Sequence, residues 1–415
     1  MALPTLTVEG FKTFQHPTSF QLRPLTLLYG HNQAGKSTLL RLLPLLADSL
    51  QEGNTGLDMR SPALLGSTFK ELGWLGPDPA KPHIAVEADH CTYRIELDSD
   101  NNPAPFVNRL VVAHDKPRRR FEVTLAAPVQ RRSGSTTSTY RAPSTMDWPD
   151  WSGELTFRSF FPTGDLPDEV NAWLQPIRDA LNPFHRLQWL YANRTLDLGQ
   201  PPAAQRATRC CDPTGGDLAD LLKPHEDTVV EAASAWLSDV LSETLSVQSG
   251  SRGELFFQLR RHSHEARPIH LAGEGVRSML PILLCACWAE ARDLGDGPTM
   301  LAIEEPESHL HPTLQVKLAD RLVETVNAGI PIVLETHSVY ILRAVQRAVL
   351  KGTIQPDDIA LYWFAQDNGA RLDPITVEPD ATLTNWLPRT FEEEQELAQD
   401  IMQLRWERMK GERDP

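Results

Sequence analysis

A chain of 415 residues is longer than one typical domain and can bury a large core, so a large α/β unit of two lobes with an inserted or appended piece is expected. Hydrophobic content of 41% and charged content of 23% suit a globular protein, no apolar run nears the roughly 20 residues of a membrane helix, and the N-terminus lacks a secretory-signal pattern, which predicts a cytoplasmic chain. The formal net charge of −15 opposes indiscriminate nucleic-acid binding, and five cysteines without a CxxC pair or disulfide-framework spacing argue for a reducing compartment and against a zinc site.

Residues 5–9 and 19–22 read as short strands around a turn at 11–17, and residues 25–29 as a buried strand. That strand enters Gly30-His31-Asn32-Gln33-Ala34-Gly35-Lys36-Ser37-Thr38, which fits the phosphate-loop pattern G-x-x-x-x-G-K-[ST]. Gly30 and Gly35 let the backbone fold tightly around a phosphate. The N–H groups of Asn32, Gln33, Ala34, Gly35, Lys36, Ser37 and Thr38 face the anion, Lys36 adds charge at the β- and γ-phosphates, and Ser37 holds magnesium. An apolar helix over 37–50 completes an anion site at its N-terminus, with Pro44 predicting a kink or an early end.

From 82 to 127 apolar and polar residues alternate, as expected of an antiparallel β region. Residues 131–150, rich in Ser and Thr, read as a mobile loop. Helical patterns follow at 166–181, at 216–247 with a break near Pro224, at 276–292 and at 310–327; strands are expected at 187–190, 254–259, 300–303 and 330–334. The tail at 391–410 suits a terminal helix. This divides the chain into an N-terminal lobe (1–75), an inserted β region (76–185, with a mobile loop at 130–150), a C-terminal lobe (186–390) and a tail (391–415).

Leu301-Ala-Ile-Glu304-Glu305-Pro306-Glu307 places carboxylates directly after an apolar strand, where ligands bind in a parallel sheet. In phosphoryl transfer one carboxylate helps hold magnesium and another activates the attacking water, which assigns Glu304 and Glu305 in that order. The next apolar strand ends at Glu335-Thr336-His337-Ser338, from which His337 can reach a γ-phosphate. Taken alone, the acidic trio could equally be a solvated strand end that caps the following helix.

With the phosphate loop, Ile303-Glu-Glu-Pro-Glu-Ser-His-Leu-His-Pro312 resembles the I-[DE]-E-P-E-x-x-L-H-P strand of ABC-type ATPases of the SMC, RecF and OLD-nuclease kind. The resemblance implies an ABC-ATPase head: an α/β fold with a mixed or parallel core sheet, an antiparallel β subdomain and a helical insertion. Leu271-Ala-Gly-Glu-Gly-Val-Arg-Ser278 stands where that class has its signature. Ala272, Gly273, Glu274 and Gly275 are then implied to contact ATP on the opposite subunit of a head-to-tail homodimer. The chain departs from the class in three ways: Glu304 replaces Asp, Ala272 replaces the signature serine, and no glutamine loop follows the first helix. The segment from Gln355 to Pro388 is similar to the ending of AAA-labelled prokaryotic ATPases, some of them in anti-phage defence loci. No TOPRIM domain fits after His337, so a nuclease would be a partner chain.

Lys116, Arg118, Arg119, Arg120, Arg131, Arg132 and Arg141 form the densest basic run, read either as a DNA-phosphate contact or as a solvated loop. His309 and His311 fall within the class motif rather than a metal pair, Cys285 and Cys287 read as core, and Arg194, just after a strand, reads either as a structural partner or as a group that reaches phosphates or a partner subunit. The expected function is a Mg-dependent ATPase, a dimeric switch that hydrolyses ATP at Glu305 and acts on an effector protein or DNA. The alternative is a non-hydrolysing ATP-dependent scaffold or sensor, which Ala272 permits.

Overall fold

The computed structural model describes residues 3–404 apart from 54, 75, 77–79, 101–103, 117, 128, 133, 146, 195–209, 251–253, 262–264, 367–369 and 386–400. It is mixed α/β, built on two large sheets and one small one.

Strands β1 (Thr5–Glu9) and β2 (Thr18–Gln21) pair antiparallel, and their alternation turns Leu6, Val8 and Phe20 into the core. Strand β3 (Leu25–Gly30) leaves for the second sheet and leads into helix α1 (Lys36–Ser49), followed by the single turn α2 (Phe69–Leu72). The meander then runs through β4 (His83–Ala88), β5 (Cys91–Asp98), β6 (Phe106–Asp115), β7 (Arg118–Leu125), β8 (Gln130–Arg132), β9 (Ser135–Ala142), β10 (Trp151–Phe157) and β11 (Pro162–Gly164). β1 pairs with β4, so the N-terminal strands and the expected β region form a single ten-stranded antiparallel sheet.

Two expectations are corrected here. Residues 131–150 are not simply a loop, because β9 pairs with β10 from Thr136 to Ala142. The Ser/Thr tract hides a strand alternation in which Thr136, Ser138, Tyr140 and Ala142 face inward, and the Tyr140 hydroxyl donates to the Val107 carbonyl at 2.6 Å. Helix α1 also continues past Pro44 to Ser49. Leu39, Leu40, Leu42, Leu43, Leu45 and Leu46 are all buried there, and that packing outweighs the hydrogen bond the proline removes. Helix α3 (Asp168–Ala180) lies on the first sheet through Val170, Trp173, Leu174 and Ile177, the i, i+3, i+4, i+7 face of an amphipathic helix.

Strand β12 (Leu187–Leu190) opens the second half, followed by α4 (Leu218–Leu222), α5 (Glu231–Leu241) and a small sheet of β13 (Glu243–Ser249), β14 (Leu255–Arg261) and β15 (Arg267–Pro268). Then come α6 (Glu274–Glu290), β16 (Met300–Glu304), α7 (Pro312–Asn327), β17 (Ile332–Glu335), α8 (Val339–Leu350), β18 (Ile359–Gln366), β19 (Ala370–Val377) and β20 (Leu383–Thr384). The second sheet has the order β12-β16-β17-β3-β18-β19-β20, with the first five strands parallel. Its apolar strands are buried on both faces, as a parallel sheet requires. Met300, Ala302 and Val333 pack towards α1 and the first sheet, whereas Leu301, Ile303, Ile332 and Leu334 pack towards α6, α7 and α8. The expected terminal helix lies outside the described residues except at 401–404, which are helical. Among the described residues no helix is long and apolar enough to cross a membrane.

Candidate functional site

The first strand of the chain to enter the parallel sheet, β3, lies between β17 and β18, and its C-terminal end opens into the phosphate loop. Gly30 has φ 143°, and a Cβ there would meet the Phe364 carbonyl oxygen at 2.3 Å. Gly35 has φ 101° and would place a Cβ 2.9 Å from Thr13 Oγ1. Both glycines are therefore required by backbone conformation and by space. Helix α1 begins at Lys36 with no side-chain cap and no acid in its first turn, which leaves its orphan N–H groups facing the loop. Lys36 is only 3% exposed, and its Nζ donates to the carbonyls of Gly30 at 3.0 Å and His31 at 2.8 Å. Burial lowers its pKa, and the charges of Glu335, Glu305 and Glu307 act against that shift.

Parallel pairing sets Glu304 opposite Glu335 and Glu335 opposite Leu28, so the acidic strand ends meet the base of the loop. The Ser37 hydroxyl donates to Glu335 Oε1 at 2.6 Å. Glu335 is 4% exposed, and its other oxygen, Oε2, is buried without a hydrogen-bond partner. Burial pushes the Glu335 carboxyl up to about 7; the Glu304 charge adds to this, while the Ser37 hydrogen bond and the charges of Lys36 and Arg41 oppose it.

Ser37 and Glu304, expected to share magnesium, are engaged with different partners. Arg41, one helical turn beyond Ser37, grips Glu304 with two parallel bonds, Nε to Oε1 at 2.6 Å and Nη2 to Oε2 at 2.7 Å. Trp189 Nε1 donates to the same Oε1 at 3.0 Å, and the guanidinium stands 5.2 Å from the centre of the Tyr191 ring. Glu305 lies just past the strand with φ 42°, its N–H bonded to the Glu335 carbonyl at 2.8 Å and its Oε2 accepting from the Ser308 hydroxyl at 3.0 Å. Glu307 accepts from the His337 N–H at 2.6 Å and from the Thr336 hydroxyl at 2.7 Å, which fixes the start of the histidine loop. His337 itself is exposed; partial desolvation, then the Lys36 charge, lower its pKa. Arg194 is buried as a structural partner, donating to the carbonyls of Tyr191, Glu304, Glu305 and Ser278 and to the Ser278 hydroxyl. Burial lowers its pKa to about 10.

Gly273 caps α6 through its extended backbone and has open space around it, Glu274 lies 3.5 Å from His309 Nδ1, and a Cβ on Gly275 would meet the His309 carbonyl at 2.7 Å. The signature candidate thus packs on the loop that follows the acidic strand. Ala272 is buried. In the basic run Arg119 is held by Glu169 and lies over Trp148, and Arg120 pairs with Glu122 at 2.7 Å. Arg118 is exposed, with no partner among the described residues. His311 caps α7 and, among the described residues, no cluster of metal-ligating side chains occurs.

Sequence reasoning missed Arg41 and the approach of Thr13, within the expected turn at 11–17, to Gly35 of the phosphate loop. Arg41 is the one charged side chain between Lys36 and Asp48, and that isolation in an apolar helix was the available signal. Thr13 Oγ1 is buried without a partner beside Gly35.

Residues 197–342 match the model of the AAA ATPase domain family. The matched stretch holds the signature candidate, the acidic strand and His337 but not the phosphate loop, and it agrees with the ATPase class expected from the sequence. A search among curated proteins finds no match. Among solved structures the chain is similar to an Smc head bound to the C-winged helix domain of ScpA, at 10% identity and TM-score 0.48 over 91% of this chain and 99% of that one. It is similar to the SMC head domain from Thermotoga maritima at 12% identity and TM-score 0.41, covering 91% and 100%. The Smc head with an extended coiled coil bound to the C-terminal domain of ScpA, derived from Pyrococcus furiosus, is similar at 10% identity and TM-score 0.46, covering 96% and 100%.

Proposed function

We propose that the protein binds ATP with magnesium at the end of its parallel sheet and hydrolyses it as a nucleotide-dependent switch. The observation that carries this reading is convergence. A glycine-framed loop at an uncapped helix N-terminus, from the start of the chain, meets the carboxylates of β16 and β17 from its second half. The ATPase-domain match supports the reading independently, since it does not include the loop.

In this reading the N–H groups of residues 32–38 cradle the phosphates, and Lys36 exchanges its two loop carbonyls for phosphate oxygens. Hydroxyl and carboxylate oxygens at Ser37 and its neighbours suit magnesium, which supplies neutralisation of charge building up on the β- and γ-oxygens. Glu305 takes the proton of the attacking water, and His337 bonds to the γ-phosphate. Two copies set head to tail would bring Ala272, Gly273, Glu274 and Gly275 of one onto the nucleotide of the other. The open space at Gly273 and the 66% exposure of Leu271 beside it suit contact with a second copy. The output passes to an effector chain such as a nuclease, as in anti-phage defence, or to DNA through the face that bears Arg118.

The test is ATP turnover by the purified chain, with Glu305→Gln as the blank. Parent-like turnover by that variant would remove the base assignment, and nucleotide binding undiminished in Lys36→Ala would remove the site. Turnover raised by duplex DNA, in a salt-dependent way, would direct the output to DNA; indifference would direct it to a protein partner.

A further inference from the structure

We propose that Glu335, with Ser37, is the carboxylate that holds the magnesium ion of this site, and that Glu304 is kept out of that role by Arg41 and Trp189. The inference rests on the ATP-site reading above and concerns which side chain serves it.

The two acidic strand ends lie side by side in register and are treated oppositely by their surroundings. Glu304 is saturated. Its Oε1 accepts from Arg41 Nε and Trp189 Nε1, and its Oε2 from Arg41 Nη2, all at 2.6–3.0 Å. A carboxylate clasped by a guanidinium is neutralised, and a cation brought to it would face the Arg41 charge as well. Glu335 is in the contrary state. Its Oε1 already touches Ser37, the hydroxyl that a phosphate loop turns towards magnesium, and its Oε2 is buried with no hydrogen-bond partner.

An orphaned carboxylate oxygen in a buried site is costly unless something satisfies it. Hard divalent cations prefer oxygen donors, and here a hydroxyl and a carboxylate are already adjacent at the base of the phosphate loop. The same arrangement accounts for the glutamate at position 304, whose side chain serves as a structural partner of Arg41 and Trp189.

The experiment measures binding of a fluorescent, non-hydrolysable ATP analogue to the full chain in EDTA and in Mg2+. The ratio of the two affinities reports what the metal gains from the protein. Glu335→Gln should cut that ratio about tenfold or more. The paired variant Arg41→Leu/Glu304→Leu, which removes both charges together, should change it by less than about threefold. Thermal melting in EDTA separates this from a structural role: relieving a buried, unsatisfied carboxylate leaves the Tm of Glu335→Gln equal to or above the parent. A loss of metal dependence in the paired variant, an unchanged ratio in Glu335→Gln, or a strongly lowered Tm of Glu335→Gln in EDTA each overturns the assignment. Lys36→Ala binds the analogue poorly even in EDTA if the site is a nucleotide site. If it binds as the parent does, the ATP reading itself fails; if Lys36 is needed but Glu335 is not, only the ligand assignment falls.

Discussion

Charge is handled in opposite ways by the two large sheets. On the antiparallel sheet it stays partly exposed and pairs across the surface, Arg109 and Arg120 with Glu122, Arg94 with Glu9, and Lys81, just before β4, with Asp98. Such pairs are screened and worth about 0–1 kcal/mol each. At the end of the parallel sheet Lys36, Arg194, Glu304 and Glu335 are buried. There fixed partners hold Lys36, Arg194 and Glu304 in one position, whereas Glu335 keeps one buried oxygen without a hydrogen-bond partner. The antiparallel sheet is stabilised by its apolar face and tolerates its charges. The parallel sheet spends stability to orient them.

Four variants can break or sharpen that contrast. The largest effect is expected of Glu305→Gln, whose turnover should fall by about two to four orders of magnitude while nucleotide affinity is retained, as loss of a general base predicts. A variant that lost affinity in parallel would recast Glu305 as a binding group. Next comes Arg41→Ala, which strands a buried carboxylate and should cost about 3–5 kcal/mol in chemical denaturation. Deleting both members, as Arg41→Leu/Glu304→Leu, should cost far less than the single change, since no charge is left unpaired. If the double variant is as unstable as the single one, the pair matters for shape rather than charge. Smallest of all, Arg120→Ala should shift stability by under about 1 kcal/mol, with the difference shrinking further at high salt.

Legibility in the sequence follows the range of the chemistry. The phosphate loop and the acidic strand were readable because each places its functional atoms within a few residues and is flanked by elements of recognisable period. The Arg41–Glu304 pair joins residues far apart in sequence, and only parallel pairing of β16, β17 and β3 brings them together. Glu335 was visible as a carboxylate at the end of an apolar strand, but its contact with Ser37 depends on that same register. The tract around β9 was misread for another reason: Ser and Thr dominate loops in composition, and the inward alternation of Thr136, Ser138 and Tyr140 was the stronger signal. Strand β18 supplies the Phe364 carbonyl against which Gly30 closes, a contact that likewise depends on parallel pairing, here of β18 with β3.

The place of β3 in its sheet bears on how the protein is made. A nascent chain that has left the ribosome only as far as α5 already contains every residue of the phosphate loop, yet neither β17 nor β18, the strands that flank β3. The Phe364 carbonyl and the Glu335 carboxylate are still untranslated at that moment. Such long-range pairing is slow to form and leaves strand edges exposed in the meantime. The loop precedes in the chain the strands that flank it, and is therefore among the last parts of the molecule to take its working shape; a chain made only as far as α5 has no finished loop site.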